Sequence, residues 1–176
     1  KMEEGLVYLD LASIATDSKG RLWLGGAYPK GCMQIYDPAI GYIEHDEGYC
    51  DDDVGSISNI KIAGTIAFAV YEGPTSSSIG ILEFQIDSDG LPVFQDSYTD
   101  FTDETISEIR DLDIFQDSVY VTTDKGIFAG NYSDILNLSV NWVAVYNGNT
   151  AEQFLPGDSP LILGNSSIVN LQGEDY

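Results

Sequence analysis

Apolar and polar residues alternate along most of this chain in short runs, and clusters of Gly, Ser, Asp and Thr separate the runs. A period of two is the pattern of strands, and helix signals are nearly absent. The first group of predicted strands covers residues 6–11, 13–16, 21–25, 31–36 and 41–45. The second covers 57–63, 66–71, 79–86 and 91–95. The third covers 109–115, 118–122, 127–130 and 142–146, and a shorter fourth group covers 151–155, 161–163 and 168–171. Tight turns are expected at Asp17-Ser18-Lys19-Gly20, Gly64-Thr65, Asp87-Ser88-Asp89-Gly90 and Gln116-Asp117, where Gly and Asp suit turn geometry. Residues 72–78 read as a flexible loop. Only residues 103–110 look helical, and that stretch is short.

The groups are related. Residues 14–26 run Ile-Ala-Thr-Asp-Ser-Lys-Gly-Arg-Leu-Trp-Leu-Gly-Gly, and residues 112–123 repeat the theme as Leu-Asp-Ile-Phe-Gln-Asp-Ser-Val-Tyr-Val-Thr-Thr. A blurred copy lies at residues 60–70. The aromatic anchors Trp23, Phe68 and Tyr120 stand 45 and 52 residues apart. A repeat of about 40–50 residues made of short strands is the signature of β-propeller blades. The expected fold is therefore all-β, with approximate units at 6–48, 56–98, 106–147 and an incomplete one at 150–176. Three and a half units fall short of the four to eight blades that close a ring. The chain is then a piece of a larger ring, or a second copy completes it. A β-sandwich with divergent hairpins is the alternative. The recurrence of Trp23, Phe68 and Tyr120 favours packing between units over sugar stacking, because packing must recur in every unit and a binding site need not.

Charge narrows the range of partners. Seven basic residues face 29 acidic ones, for a net charge of −22. Such a surface repels nucleic acid and anionic lipid, so neither is expected as a partner. No apolar run is long enough to span a bilayer, so membrane insertion is not expected. No leader pattern opens the chain, and Lys1 at its start fits a removed leader or a cut chain equally. Asn131, Asn137 and Asn165 begin glycosylation triplets, which chance also produces in a chain of this composition.

The chemistry on offer is sparse. Cys32 and Cys50 lie 18 residues apart. They form either a bridge worth up to ~3 kcal/mol on the chain-entropy model, or a buried free thiol and an unreactive neighbour among acids. Asp87 and Asp89 sit in a turn that resembles part of a calcium loop, and Asp51, Asp52 and Asp53 form a dense acidic run that could hold a weak cation. A plain turn and a solvated loop are the simpler readings. His45 is the single histidine, it lies beside Glu44 and Asp46, and no nucleophile elbow accompanies it. No catalytic residue is assigned, no cofactor is expected apart from a candidate Ca2+, and no phosphate loop or dinucleotide fingerprint occurs.

The phrase Asp17-Ser18-Lys19-Gly20-Arg21-Leu22-Trp23-Leu24-Gly25, with Gly31 and Ile35-Tyr36-Asp37 after it, resembles the two-component regulator propeller repeat. Residues 112–130 keep the Asp, the aromatic and the later Gly but lack the first Gly and the Trp, and the match covers about a quarter of the chain. The resemblance implies a non-catalytic, extracytoplasmic (periplasmic, secreted or cell-surface) binding or sensing module whose partner is a protein or glycan. Two other functions compete with it. One is a fragment of a calcium-dependent propeller hydrolase or lactonase. The other is a structural assembly subunit that self-associates through open blade edges.

Overall fold

Four antiparallel sheets follow one another along the chain in a computed structural model that describes residues 10–28, 30–42, 49–75, 78–147, 151–155, 161–164 and 168–170. The first sheet holds β1 (Asp10–Thr16), β2 (Leu22–Tyr28), β3 (Cys32–Asp37) and β4 (Gly41–Tyr42) in that order, with β5 (Tyr49–Cys50) also paired to β3. The second holds β6 (Ser56–Ala63), β7 (Ile66–Glu72), β8 (Ile79–Ile86) and β9 (Pro92–Tyr98). The third holds β10 (Ile109–Phe115), β11 (Ser118–Thr123), β12 (Ile127–Asn131) and β13 (Trp142–Tyr146). The fourth holds β14 (Ala151–Leu155), β15 (Leu161–Gly164) and β16 (Ile168–Asn170). Consecutive strands pair antiparallel within each sheet, except that β4 and β5 both pair with β3. The chain gathers into two compact units, Lys1–Ser97 and Tyr98–Tyr176.

Two sequence expectations change. Residues 10–11 and 13–16 lie on one strand, not two, because β1 runs through Ala12 without a break. Ala12 is instead a bulge, since the register jumps between Leu11 and Ser13. The helical look of residues 103–110 gives no helix, and the stretch ends in the start of β10. Among the described residues a single 3-10 turn forms, at Ser139–Asn141. Residues 6–9, His45 and the Asn165 triplet lie outside the described residues.

A bulge recurs in the first strand of every sheet. The register shifts fall around Ala12, Asn59, Arg110 and Glu152. A bulge re-aims the side chain beside it. After Ala12, the Ser13 hydroxyl donates to the Ile57 carbonyl of β6 at 3.0 Å. After Arg110, the Asp111 carboxylate accepts the Phe154 amide of β14 at 2.7 Å. Each unit thus ties the first strand of one sheet to the first strand of the next by the residue that follows a bulge.

Burial repeats as well. Trp23 lies across from Ala15 and Ile35, so these three share a face of the first sheet. That face packs on the face of the second sheet that carries Ala67, Ala69, Leu82 and Phe84. In the second unit, Tyr120 on the third sheet packs against Phe154 of the fourth, with ring centroids 6.3 Å apart. Trp23 and Tyr120 each lie two residues beyond the residue that closes their hairpin, Arg21 and Ser118. Phe68 is also fully buried, but it lies on the opposite face of β7 from Ala67 and Ala69. The run from Ala67 to Tyr71 is buried without alternation, so β7 is covered on both faces.

Candidate functional site

Two arrangements of polar and aromatic side chains stand out in the first unit. One is built around Asp17. Its Oδ1 accepts the backbone amides of Lys19 and Arg21, which shapes the hairpin between β1 and β2. Its Oδ2 accepts the Arg21 Nε at 2.7 Å and the Trp23 Nε1 at 3.4 Å. Burial pushes the Asp17 carboxyl up, but the Arg21 side chain and these amides outweigh it and hold the group below its ordinary range. The Arg21 guanidinium then reaches the Asp89 carbonyl in the turn between β8 and β9, at 3.0 Å. Gly90 in that turn has φ +85°, and a Cβ there would collide with the Arg21 guanidinium.

The turn that resembles part of a calcium loop thus receives an arginine from the neighbouring sheet on one of its carbonyls. Asp87 is the turn's own cap: its Oδ1 accepts the amides of Asp89 and Leu91 at 2.9 and 2.8 Å. The Leu91 amide is the main reason that its carboxyl lies below the ordinary range. Asp52 is paired with Lys30 at 2.7 Å. Among the described residues no group of three or more His, Cys, Asp or Glu side chains is placed to hold a metal ion.

The second arrangement is a cleft of about 450 Å³ lined by Tyr49, Asp51, Asp53, Tyr71, Phe94 and Ser97, with Val54, Leu82, Pro74, Thr75 and Ser78 completing it. Its position follows from the cysteines. Cys32 and Cys50 are directly opposite across β3 and β5 and are bonded as a disulfide, with Cα atoms 4.3 Å apart. The bond holds the two-residue β5 on its sheet and so fixes Tyr49 as a wall. The Asp51-Asp52-Asp53 turn follows, closed by the Val54 amide on the Asp51 carbonyl. The acids diverge around this turn: Asp52 turns to Lys30, whereas Asp51 and Asp53 face the cleft.

Aromatic rings form much of this site. Tyr49 stacks on Phe94 with centroids 4.9 Å apart and planes 27° apart, and meets Phe84 edge-on at 5.2 Å. Phe94 keeps 42% of its surface exposed. Burial, followed by the charges of Asp51, Tyr71 and Asp53, pushes the Tyr49 hydroxyl up to about 12. Burial raises the Tyr71 hydroxyl as well, against a hydrogen bond with Ser97. The cleft thus combines exposed aromatic surface with negative charge. The sequence reading drew attention to Asp51 and Asp53, but missed Tyr49, Tyr71, Phe94 and Ser97. Tyr49 next to Cys50 was the one local hint, because a disulfide fixes its neighbours. Trp23 and Phe68, expected to be structural, are fully buried, while Tyr120 is half-buried.

No family model matches the chain, and no curated protein matches it. Solved structures do. PorZ, an essential surface component of the type-IX secretion system of Porphyromonas gingivalis, superposes with a TM-score of 0.60 at 17% identity. The match covers 91% of this chain and 25% of that one. A functionally unknown protein from Desulfotomaculum acetoxidans superposes with a TM-score of 0.58 at 13% identity, covering 90% of this chain and 50% of that one. The chain thus spans a quarter and a half of these neighbours' lengths, and at such identities the likeness concerns the fold.

Proposed function

We propose that this chain is a propeller-type segment of an extracytoplasmic binding module, non-catalytic, that presents its surface to a protein or glycan. The observation that carries this reading is the way the sheets are buried. A sandwich sheet buries one face and wets the other, so its strands alternate. Here β7 is buried from Ala67 to Tyr71, and β3 from Cys32 to Ile35. In both units, the residue two positions past the hairpin closure packs onto the next sheet. Successive stacking of that kind suits blades, and agrees with the resemblance of residues 14–37 to the two-component regulator propeller repeat.

The Cys32–Cys50 bond supports an oxidising compartment, where such bridges persist. PorZ, the neighbour in fold, is a bacterial surface component, which weakly supports the same location. The test is to probe arrays of surface glycans and surface proteins with the purified chain and to recover whatever binds. Saturable binding with the ligand returned unchanged is expected. Calcium-dependent hydrolysis of a bound glycan or lactone would overturn the reading in favour of a propeller hydrolase.

A second reading, a structural assembly subunit, draws on β13. It is the edge strand of the third sheet, and Val143 and Val145 on it are exposed. An apolar edge without a guarding charge invites strand addition. Mass measured by sedimentation over a range of concentrations separates the readings: a strict monomer argues against assembly through that edge.

A further inference from the structure

We propose, resting on the reading of this chain as a binding module, that the cleft of the first unit takes one cationic side chain, the guanidinium or ammonium of an arginine or lysine in a basic peptide segment. The cleft's volume of about 450 Å³ suits a side chain or a small ligand. A bare ion would want six to eight converging oxygens instead. The aromatic wall and the two acids point to a cation of organic size. A ring face attracts positive charge within about 6 Å of its centroid. Phe94 offers exposed ring surface and is held in place by the stacked Tyr49.

Asp51 and Asp53 add the charge, and among the described residues no basic side chain lines the cleft. The middle acid, Asp52, is turned to Lys30, so the run supplies its two outer carboxylates to this site. Burial and those carboxylates keep the Tyr49 proton in place, and the same local field favours an incoming cation. The walls are already fixed. The disulfide holds Tyr49, the Val54 amide closes the acidic turn, and the Gly55 amide bonds the Glu72 carbonyl at 2.7 Å. A preorganised site loses less entropy on binding. The whole-chain charge of −22 adds long-range attraction for a basic partner.

The test is calorimetric titration with three probes: acetyl-Gly-Arg-Gly-amide, the same peptide with citrulline in place of arginine, and maltotriose. The arginine peptide is expected to saturate one site and to weaken as salt rises. Asp51→Asn with Asp53→Asn keeps the turn's hydrogen-bond acceptors and should weaken binding about tenfold, equal to ~1.4 kcal/mol. Phe94→Ala should weaken it about two- to fivefold. Glu104→Gln with Asp134→Asn removes the same charge from exposed positions in the second unit and should change affinity less than about twofold. All three substituted positions of the cleft are exposed, so an unchanged melting temperature checks folding.

Three results would overturn the assignment: the citrulline peptide binds as well, the cleft and remote variants weaken alike, or maltotriose binds at the cleft while the arginine peptide does not. The failures are distinguishable. If the arginine peptide binds but no macromolecule is captured on the arrays, the module reading falls and the cleft assignment stands. If a macromolecule binds and the cleft variants leave it untouched, the assignment falls alone.

Discussion

Arg21 fills the space that a side chain at Gly90 would occupy. The contact joins the first hairpin of one sheet to the last turn of the next, and Asp17 behind it holds the guanidinium at 2.7 Å from Nε. The Asp17 side chain keeps only 4% of its surface exposed. Removing one member of such a pair strands a buried charge, which costs about 3–5 kcal/mol. Arg21→Ala should lower stability by that amount. Gly90→Ala should also destabilise, through positive φ and collision. In the double variant the collision is relieved, so the two losses should sum to more than the double variant shows. Urea midpoints of the four proteins check it; simple additivity would mean the two residues do not meet.

Trp23 is fully buried between two sheets, and Tyr120 is half-buried. Trp23→Ala should cost about 3–5 kcal/mol, as deletion of a core aromatic does. Tyr120→Ala should cost less, because part of its ring is already in water. A Trp23→Ala protein that melts like the parent would mean that Trp23 is not a packing residue.

The disulfide closes a loop across a sequence separation of 18. Cys32→Ser with Cys50→Ser should lower stability by about 3 kcal/mol on the chain-entropy model. Because the bond holds β5, the same variant should loosen Tyr49 before the rest of the sheet. Hydrogen exchange at the Tyr49 and Cys50 amides reads this directly. Faster exchange there, ahead of β2 and β3, is the expected outcome; uniform protection would show that β5 needs no bond.

Asp124 gives the second unit an acid sensitivity. Burial raises its carboxyl, but the Ser107 hydroxyl at 2.8 Å, the Ser107 amide at 3.0 Å and Lys125 outweigh that. The group rests at about 2, below the ordinary 3.8. A depressed carboxylate contributes stability that is complete above the unfolded value and is lost as pH falls through the folded one. Stability should therefore decline between pH ~4 and pH ~2. Asp124→Asn should flatten that decline, as followed by urea melts at several pH values. An unchanged slope would place the titrating groups elsewhere.

Gln116 takes φ 53° in the two-residue turn between β10 and β11. Glycine reaches this region without Cβ strain. Gln116→Gly should raise stability by about 0.5–1 kcal/mol, whereas Gln116→Val should lower it. Thermal melts of both variants test this, and the same sign for both would remove the strain argument.

The strands were legible in the sequence wherever a hairpin had local punctuation. The Gly64-Thr65 and Gln116-Asp117 pairs set β6–β7 and β10–β11, because period-two patterning and turn chemistry act over a few residues. The repeat placed large aromatics at corresponding positions in the sequence, and two of them, Trp23 and Phe68, are fully buried. The four bulges were not legible, for Ala12, Asn59, Arg110 and Glu152 share no residue type and a bulge is a property of pairing, not of composition. The aromatic cleft was not legible either. Tyr49, Tyr71 and Phe94 lie on three different strands, and only sheet pairing, the disulfide and the packing of two sheets bring them to one wall. The same holds for Asp87 and Asp89. Sequence alone showed two acids in a turn, while the tertiary structure brought the Arg21 guanidinium of the neighbouring sheet onto the Asp89 carbonyl, because long-range contacts are set by which faces must be buried together.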